Sequence, residues 1–121
     1  MRGVDQGPYS TLAAGERLAF PNQEMMVTMA AAAAVIARTQ RVRVRIGIAN
    51  PVTRHPSVLA MEAATLAEID GPSRVRFGIG AAEWTVKALG YAPDGWRPFT
   101  HTVEAIQAMR RWLSGQDLGF T

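Results

Sequence analysis

Arg41-Val42-Arg43-Val44-Arg45-Ile46-Gly47-Ile48-Ala49 decides the fold. Val42, Val44, Ile46 and Ile48 alternate with Arg41, Arg43, Arg45 and Gly47. Alternation of β-branched and charged residues with a period of two specifies a strand with one apolar and one polar face. The same pattern returns at Arg74–Gly80, where Val75, Phe77 and Ile79 alternate with Arg76, Gly78 and Gly80. The arginines on each strand then share a face with its glycines.

The segments around these strands read as helices. Gln23–Arg38 has no Gly or Pro and is rich in Ala and Met, with Asn22 as an N-cap and Glu24 in the first turn. Pro56 suits the first turn of a helix over Ser57–Ile69, with Leu59, Ala63, Leu66 and Ile69 on one face and Asp70-Gly71-Pro72 as the stop. Glu83–Leu89 reads as a short helix ended by Gly90. Phe99–Ser114 reads as a long one carrying Phe99, Val103, Ile106, Met109 and Leu113 in register and ending at Gly115. Met1–Asn22, with its Gly, Pro, Ser and Asn, reads as irregular, with the end of a strand near Gly3–Asp5. Strands alternating with helices specify βαβ units and a parallel sheet. The expected organisation is an irregular segment over 1–21 and one α/β domain over 22–121.

The 121-residue length allows one domain. A hydrophobic fraction of 48% and a charged fraction of 19% exclude disorder as the default. The absence of cysteine excludes a disulfide framework, a thiolate zinc site and a cysteine nucleophile, and fits the cytoplasm. Met1–Ser10 has no apolar core of a secretory signal, and the apolar run Met29–Ala37 is too short to span a bilayer. The net charge of +3 is carried almost wholly by arginine and suits phosphorylated ligands.

Ligands of parallel α/β folds sit at the carboxyl ends of the strands. Gly47–His55 and Gly78–Trp84 occupy that position. Gly78-Ile79-Gly80 lets a ligand approach the backbone, but Glu83 stands where a dinucleotide fingerprint needs its third glycine. Glu83 is the candidate acid or base; the competing reading is a helix N-terminal glutamate favoured by the dipole. His55 is either a ligand-facing donor or a residue that bonds its own loop and fixes the helix entry. His101 reads as a surface residue. No His, Asp or Glu pair has metal-ligand spacing, so no metal is expected. Met25, Met26 and Met29 read as core filler. Arg41, Arg43, Arg45 and Arg76 read as a solvated face. A basic nucleic-acid-binding module using that face is a further reading, although no aromatic residues interleave with the charges.

Gly47-Ile48-Ala49-Asn50-Pro51-Val52-Thr53-Arg54-His55-Pro56 resembles the luciferase-like monooxygenase superfamily, and most closely its deazaflavin-dependent, methylenetetrahydromethanopterin-reductase-like branch. Ala64-Thr65-Leu66, the Gly-x-Gly strand Arg74–Gly80 and Arg97-Pro98 through Trp112-Leu113-Ser114-Gly115 support it, over about Asn22 to Gly115. The resemblance implies a (β/α)8 TIM barrel using flavin mononucleotide (FMN) or the deazaflavin coenzyme F-420, with a small-molecule substrate. It implies a bulge with a non-proline cis peptide at Gly47–Ile48. Gly47, Ile48, Asn50 and Gly80 would frame the ring, and Glu83 would match an active-site glutamate. The histidine that some members carry after the second strand would fall near Asp5-Gln6.

A full barrel needs about 250 residues, so this chain is expected to hold a partial barrel of about two βα units with flanking helices. Arg45 and Arg76 stand where the family usually has Gly and an apolar residue. The expected function is that of a fragment of a flavin- or deazaflavin-dependent oxidoreductase. The alternative is an inert remnant that self-associates through open sheet edges or pairs with a complementary fragment.

Overall fold

The computed structural model describes residues 5–15, 28–92 and 94–115. It contains β1 (Thr11–Ala14), α1 (Thr28–Arg38), β2 (Arg43–Ala49), α2 (Pro56–Asp70), a 3-10 turn (Pro72–Arg74), β3 (Val75–Ile79), α3 (Glu83–Ala88) and α4 (Pro98–Leu113). The three strands form one parallel sheet in the order β1-β2-β3. Register places Ala13 beside Arg45 and Arg45 beside Arg76, then Gly47 beside Gly78.

The expected parallel α/β order holds, and element ends move by a residue or two. Of the strand end expected near Gly3–Asp5, Gly3 and Val4 lie outside the described residues and only Asp5 is redrawn. Asp5 and Gln6 are in a helical turn, and a strand lies at Thr11–Ala14. Gln6 therefore precedes β1 rather than following it. Asn22, Gln23, Glu24, Met25 and Met26 lie outside the described residues.

All packed helices cover one face of the sheet. Val44, Ile46 and Ala49 of β2 meet Met29, Ala32 and Ile36 of α1, Leu59, Ala60 and Leu66 of α2, and Met109 of α4. Ile46 and Leu59 are fully buried, and each contributes roughly 1.5–3 kcal/mol through water-to-core transfer. Two expected helix faces are redrawn. Ile69 is 43% exposed, while Ala60 is buried in its place. On α4 the buried stripe is Ala105 and Met109, with Trp112 packed beside them, whereas Phe99 is 80% exposed.

Two polar clasps fix the strand entries. Arg74 is buried and donates from Nε to the Val42 carbonyl at 2.9 Å, and from Nη1 to the Thr39 carbonyl at 2.9 Å. Its Nη2 donates to Thr39 Oγ1 at 2.5 Å, and its Nη1 also pairs with Asp70. The end of α1, the start of β2 and the end of α2 thus meet on one guanidinium. In the second clasp, the Asp5 carboxylate accepts from the backbone N–H groups of Gln40, Arg41 and Val42 at 2.9, 2.8 and 3.0 Å. These bonds, Gln40 first, hold its carboxyl below the usual carboxylate range. The Arg41 guanidinium answers by donating to the carbonyls of Asp5, Gly7 and Tyr9.

The opposite face of the sheet carries Arg43, Arg45 and Arg76, all exposed. It is polar and open, as the alternation requires. No helix among the described residues is long and apolar enough to cross a membrane.

Candidate functional site

The strand ends form a floor of small residues. The Gly47–Ile48 peptide is cis, and the register between β2 and β3 shifts between Gly47 and Ala49. Strict alternation would send Ile48 into the core. Beyond the shift Ile48 is instead 38% exposed and lies over the open face, against Gly78 and Gly80.

The glycines have different steric duties. A Cβ on Gly78 would lie 2.8 Å from the Ile46 carbonyl oxygen, and one on Gly15 would lie 2.8 Å from that of Gly47. Those two positions need glycine for backbone approach. A Cβ on Gly80 would lie 2.6 Å from Ile48 Cδ1. A Cβ on Gly47 would meet nothing within 4 Å. Gly15 belongs to this floor and escaped the sequence reading, because its only local sign is a glycine after a four-residue strand.

Asn50 is buried at 4% exposure. Its Nδ2 donates to the Ala81 carbonyl at 2.8 Å, and its Oδ1 accepts from the Val52 N–H at 2.8 Å. The side chain braces the loop after β2 against the loop after β3. Ala82 adopts a left-handed backbone (φ 41°) where the chain turns into α3. Glu83 opens α3, and its Oε1 lies 2.6 Å from Lys87 Nζ, with both side chains more than half exposed.

His55 caps α2: its Nδ1 accepts from the Ser57 N–H at 3.2 Å and lies 2.8 Å from Ser57 Oγ. The loop-fixing role is thus the one its contacts show. His101 is half-buried rather than a surface residue, with Nε2 3.5 Å from the Pro51 carbonyl. Among the described residues no group of His, Asp or Glu could hold a metal ion.

A second concavity, of about 900 Å³, lies between the 51–56 loop and α4, with Tyr91, Trp96 and Trp112 among its walls. Trp96 Nε1 is buried there without a partner among the described residues. This cleft is separate from the glycine floor. Gly15, Gly47, Ile48, Gly78 and Gly80 are not among the cleft's lining residues, and the cleft's nearest wall in sequence is the loop that follows β2.

A parallel sheet with helices on one face, a bulged second strand and a small-residue floor at the strand ends is the architecture of a (β/α)8 barrel segment. The chain matches the family model for luciferase-like monooxygenases over residues 1–121, and it belongs to that family. It is 34% identical over 79 residues to the 5,10-methylenetetrahydromethanopterin reductase of Methanolobus tindarius, a match covering 64% of this chain and 23% of that protein. It also superposes on the crystal structure of monooxygenase RslO1 from Streptomyces bottropensis with a TM-score of 0.71 at 27% identity, covering 88% of this chain and 32% of that one. The chain therefore spans about a quarter to a third of these relatives, and its fold is a partial luciferase-like barrel.

Proposed function

We propose that this chain supplies the ring-facing floor of a flavin- or deazaflavin-dependent oxidoreductase, acting on a small molecule in the cytoplasm. The observation that supports this most directly is the space above Gly47. A Cβ there would meet nothing within 4 Å, beside the Ile48 side chain that lies against Gly78 and Gly80. A planar apolar ring needs such a flat, accessible surface, and the residues present fit it. FMN or coenzyme F-420, when bound, supplies the hydride or oxygen chemistry. Ile48 would offer its side chain to one face of such a ring, and Gly47 and Gly80 would leave room for the ring to approach the backbone. Asn50 holds the two rim loops at fixed spacing through its bonds to Ala81 and Val52. Glu83, at the start of α3 after the Gly78–Gly80 segment, would hold or pass a proton, and it would have to leave Lys87 to do so.

The test is fluorescence titration of the folded chain with FMN and with coenzyme F-420, repeated on Glu83→Gln and Gly47→Val. Saturable binding at micromolar levels, lost in Gly47→Val, is the expected result. A folded chain that quenches neither ligand would overturn the reading.

A second reading, self-association, is favoured by the edges of β1 and β3 that no described strand pairs and by exposed Phe99, Trp84 and Met61. It predicts a mass that rises with concentration in sedimentation. A monomer across the micromolar range would remove it.

A further inference from the structure

The open face of the sheet carries an arrangement that the ring reading does not use. Arg45 and Arg76 are direct register partners on β2 and β3, and Arg43 lies two residues below Arg45 on the same face. Register partners in a sheet stand about 4.8 Å apart, so two like charges are held side by side. Such a pair is destabilising unless something between them carries the opposite sign. Arg41, Arg54 and Arg74 all have carbonyl or carboxylate partners. Among the described residues no ion pair or side-chain hydrogen bond joins Arg43, Arg45 or Arg76 to anything. These three instead line a concavity of about 420 Å³, together with Thr11, Val44, Phe77 and Gly78. No described carboxylate contributes to its wall.

We propose that Arg45 and Arg76, assisted by Arg43, form a subsite for an oxyanion, the phosphate or carboxylate group of a small bound molecule. Guanidinium pairs match such groups in geometry as well as charge, each offering two parallel N–H donors. The concavity has the size of a small-ligand pocket. Its place in the fold sets the length of the ligand. Arg45 precedes Gly47 by two residues, a rise of about 6.6 Å along the strand. An oxyanion on the arginines and a ring on the glycine floor therefore lie about one sugar or one short aliphatic chain apart. As an account of substrate class this rests on the ring reading; the anion subsite itself does not.

The test uses inorganic phosphate as probe. Isothermal titration is done at constant ionic strength, balanced with sodium chloride, on the native chain and on Arg45→Gln, Arg76→Gln and Arg110→Gln. Arg110 is exposed on α4 and away from this face, so it reports general charge loss. The expected result is saturable phosphate binding, weakened tenfold or more in Arg45→Gln and in Arg76→Gln and unchanged in Arg110→Gln. No saturation by a folded chain, or equal weakening by all three substitutions, would overturn the subsite.

Titrations with FMN and riboflavin then assign the source. Competition between phosphate and FMN, but not riboflavin, makes the oxyanion the cofactor's own. Simultaneous binding of phosphate and FMN assigns it to the substrate. Phosphate binding without either ring compound keeps the subsite and removes the ring reading, whereas ring binding without phosphate does the reverse.

Discussion

Replacing Arg74 by methionine tests the account of what holds the sheet to its helices. The side chain is buried at 7% exposure and serves acceptors from three elements: the carbonyls of Thr39 and Val42, the Thr39 hydroxyl, and the Asp70 carboxylate. Methionine fills most of the volume but donates nothing. The Val42 and Thr39 carbonyls would lose their donor in a site from which water is excluded. Each buried acceptor left unsatisfied costs about 1–3 kcal/mol, so the pair together cost roughly 2–6 kcal/mol. The ion pair itself adds little, because the Asp70 side chain is 47% exposed and such pairs contribute about 0–1 kcal/mol. A domain of this size has roughly 6–18 kcal/mol in total, so Arg74→Met should fold with a Tm lower by roughly 8–24 °C. Asp70→Asn should stay within about 1 kcal/mol of the native chain. Urea unfolding of both variants gives the comparison. Equal losses in the two, or an Arg74→Met chain as stable as the native one, would refute the assignment of the energy to the carbonyl acceptors.

Other perturbations have similarly definite outcomes. Asn50→Ala should cost about 2–6 kcal/mol in the same assay, because the Val52 N–H and the Ala81 carbonyl lose a buried partner. Gly78→Ala should cost about 1–3 kcal/mol, since its Cβ meets backbone oxygen. Gly80→Ala should cost less than about 1 kcal/mol, since it meets only the movable end of Ile48, and Gly47→Ala should be neutral within about 0.5 kcal/mol. Thermal melts separate these three, and a Gly47→Ala loss as large as that of Gly78→Ala would contradict the steric map. Asp5 has a folded carboxyl below its unfolded value of 3.8. Its contribution is therefore fully present above pH 3.8 and is lost as pH falls from there through the lower folded value. Melting temperatures followed from pH 6 to pH 2 should show an acid limb that is shallower in Asp5→Asn; superimposable limbs would show that the clasp carries no stability.

The sequence displayed the sheet because its strands face water on one side. Period-two alternation survives only where the two faces differ, and Arg43, Arg45 and Arg76 made them differ. The helices were visible through their Gly and Pro stops, such as Gly71, Gly90 and Gly115, which take positive φ in the structure. β1 was hidden because Thr11–Ala14 has no alternation of its own, and its strand state comes from pairing with β2. Arg74 looked like any charged strand entry. Nothing in one sequence distinguishes a guanidinium in water from one at the junction of three elements. The register shift at Gly47–Ala49 also broke the period, so Ile48 reads as core and sits on the open face. Gly47, Ile48, Asn50 and Gly80 lie at or just past the ends of β2 and β3, and Glu83 opens α3. What the sequence could not show is that the Asn50 amide is engaged with backbone on both sides, or that Gly15 reaches the same floor.

The loop from Pro51 to Pro56 is a partition between two spaces. Asn50, at its root, is fastened to the segment beside the glycine floor, and Pro51, Val52, His55 and Pro56 form one wall of the aromatic cleft. A thin wall cannot yield toward one room without intruding on the other. Any molecule that settles differently in the cleft when the floor is filled is bound to the floor's occupant by reciprocity: whatever factor one imposes on the other's affinity is returned unchanged.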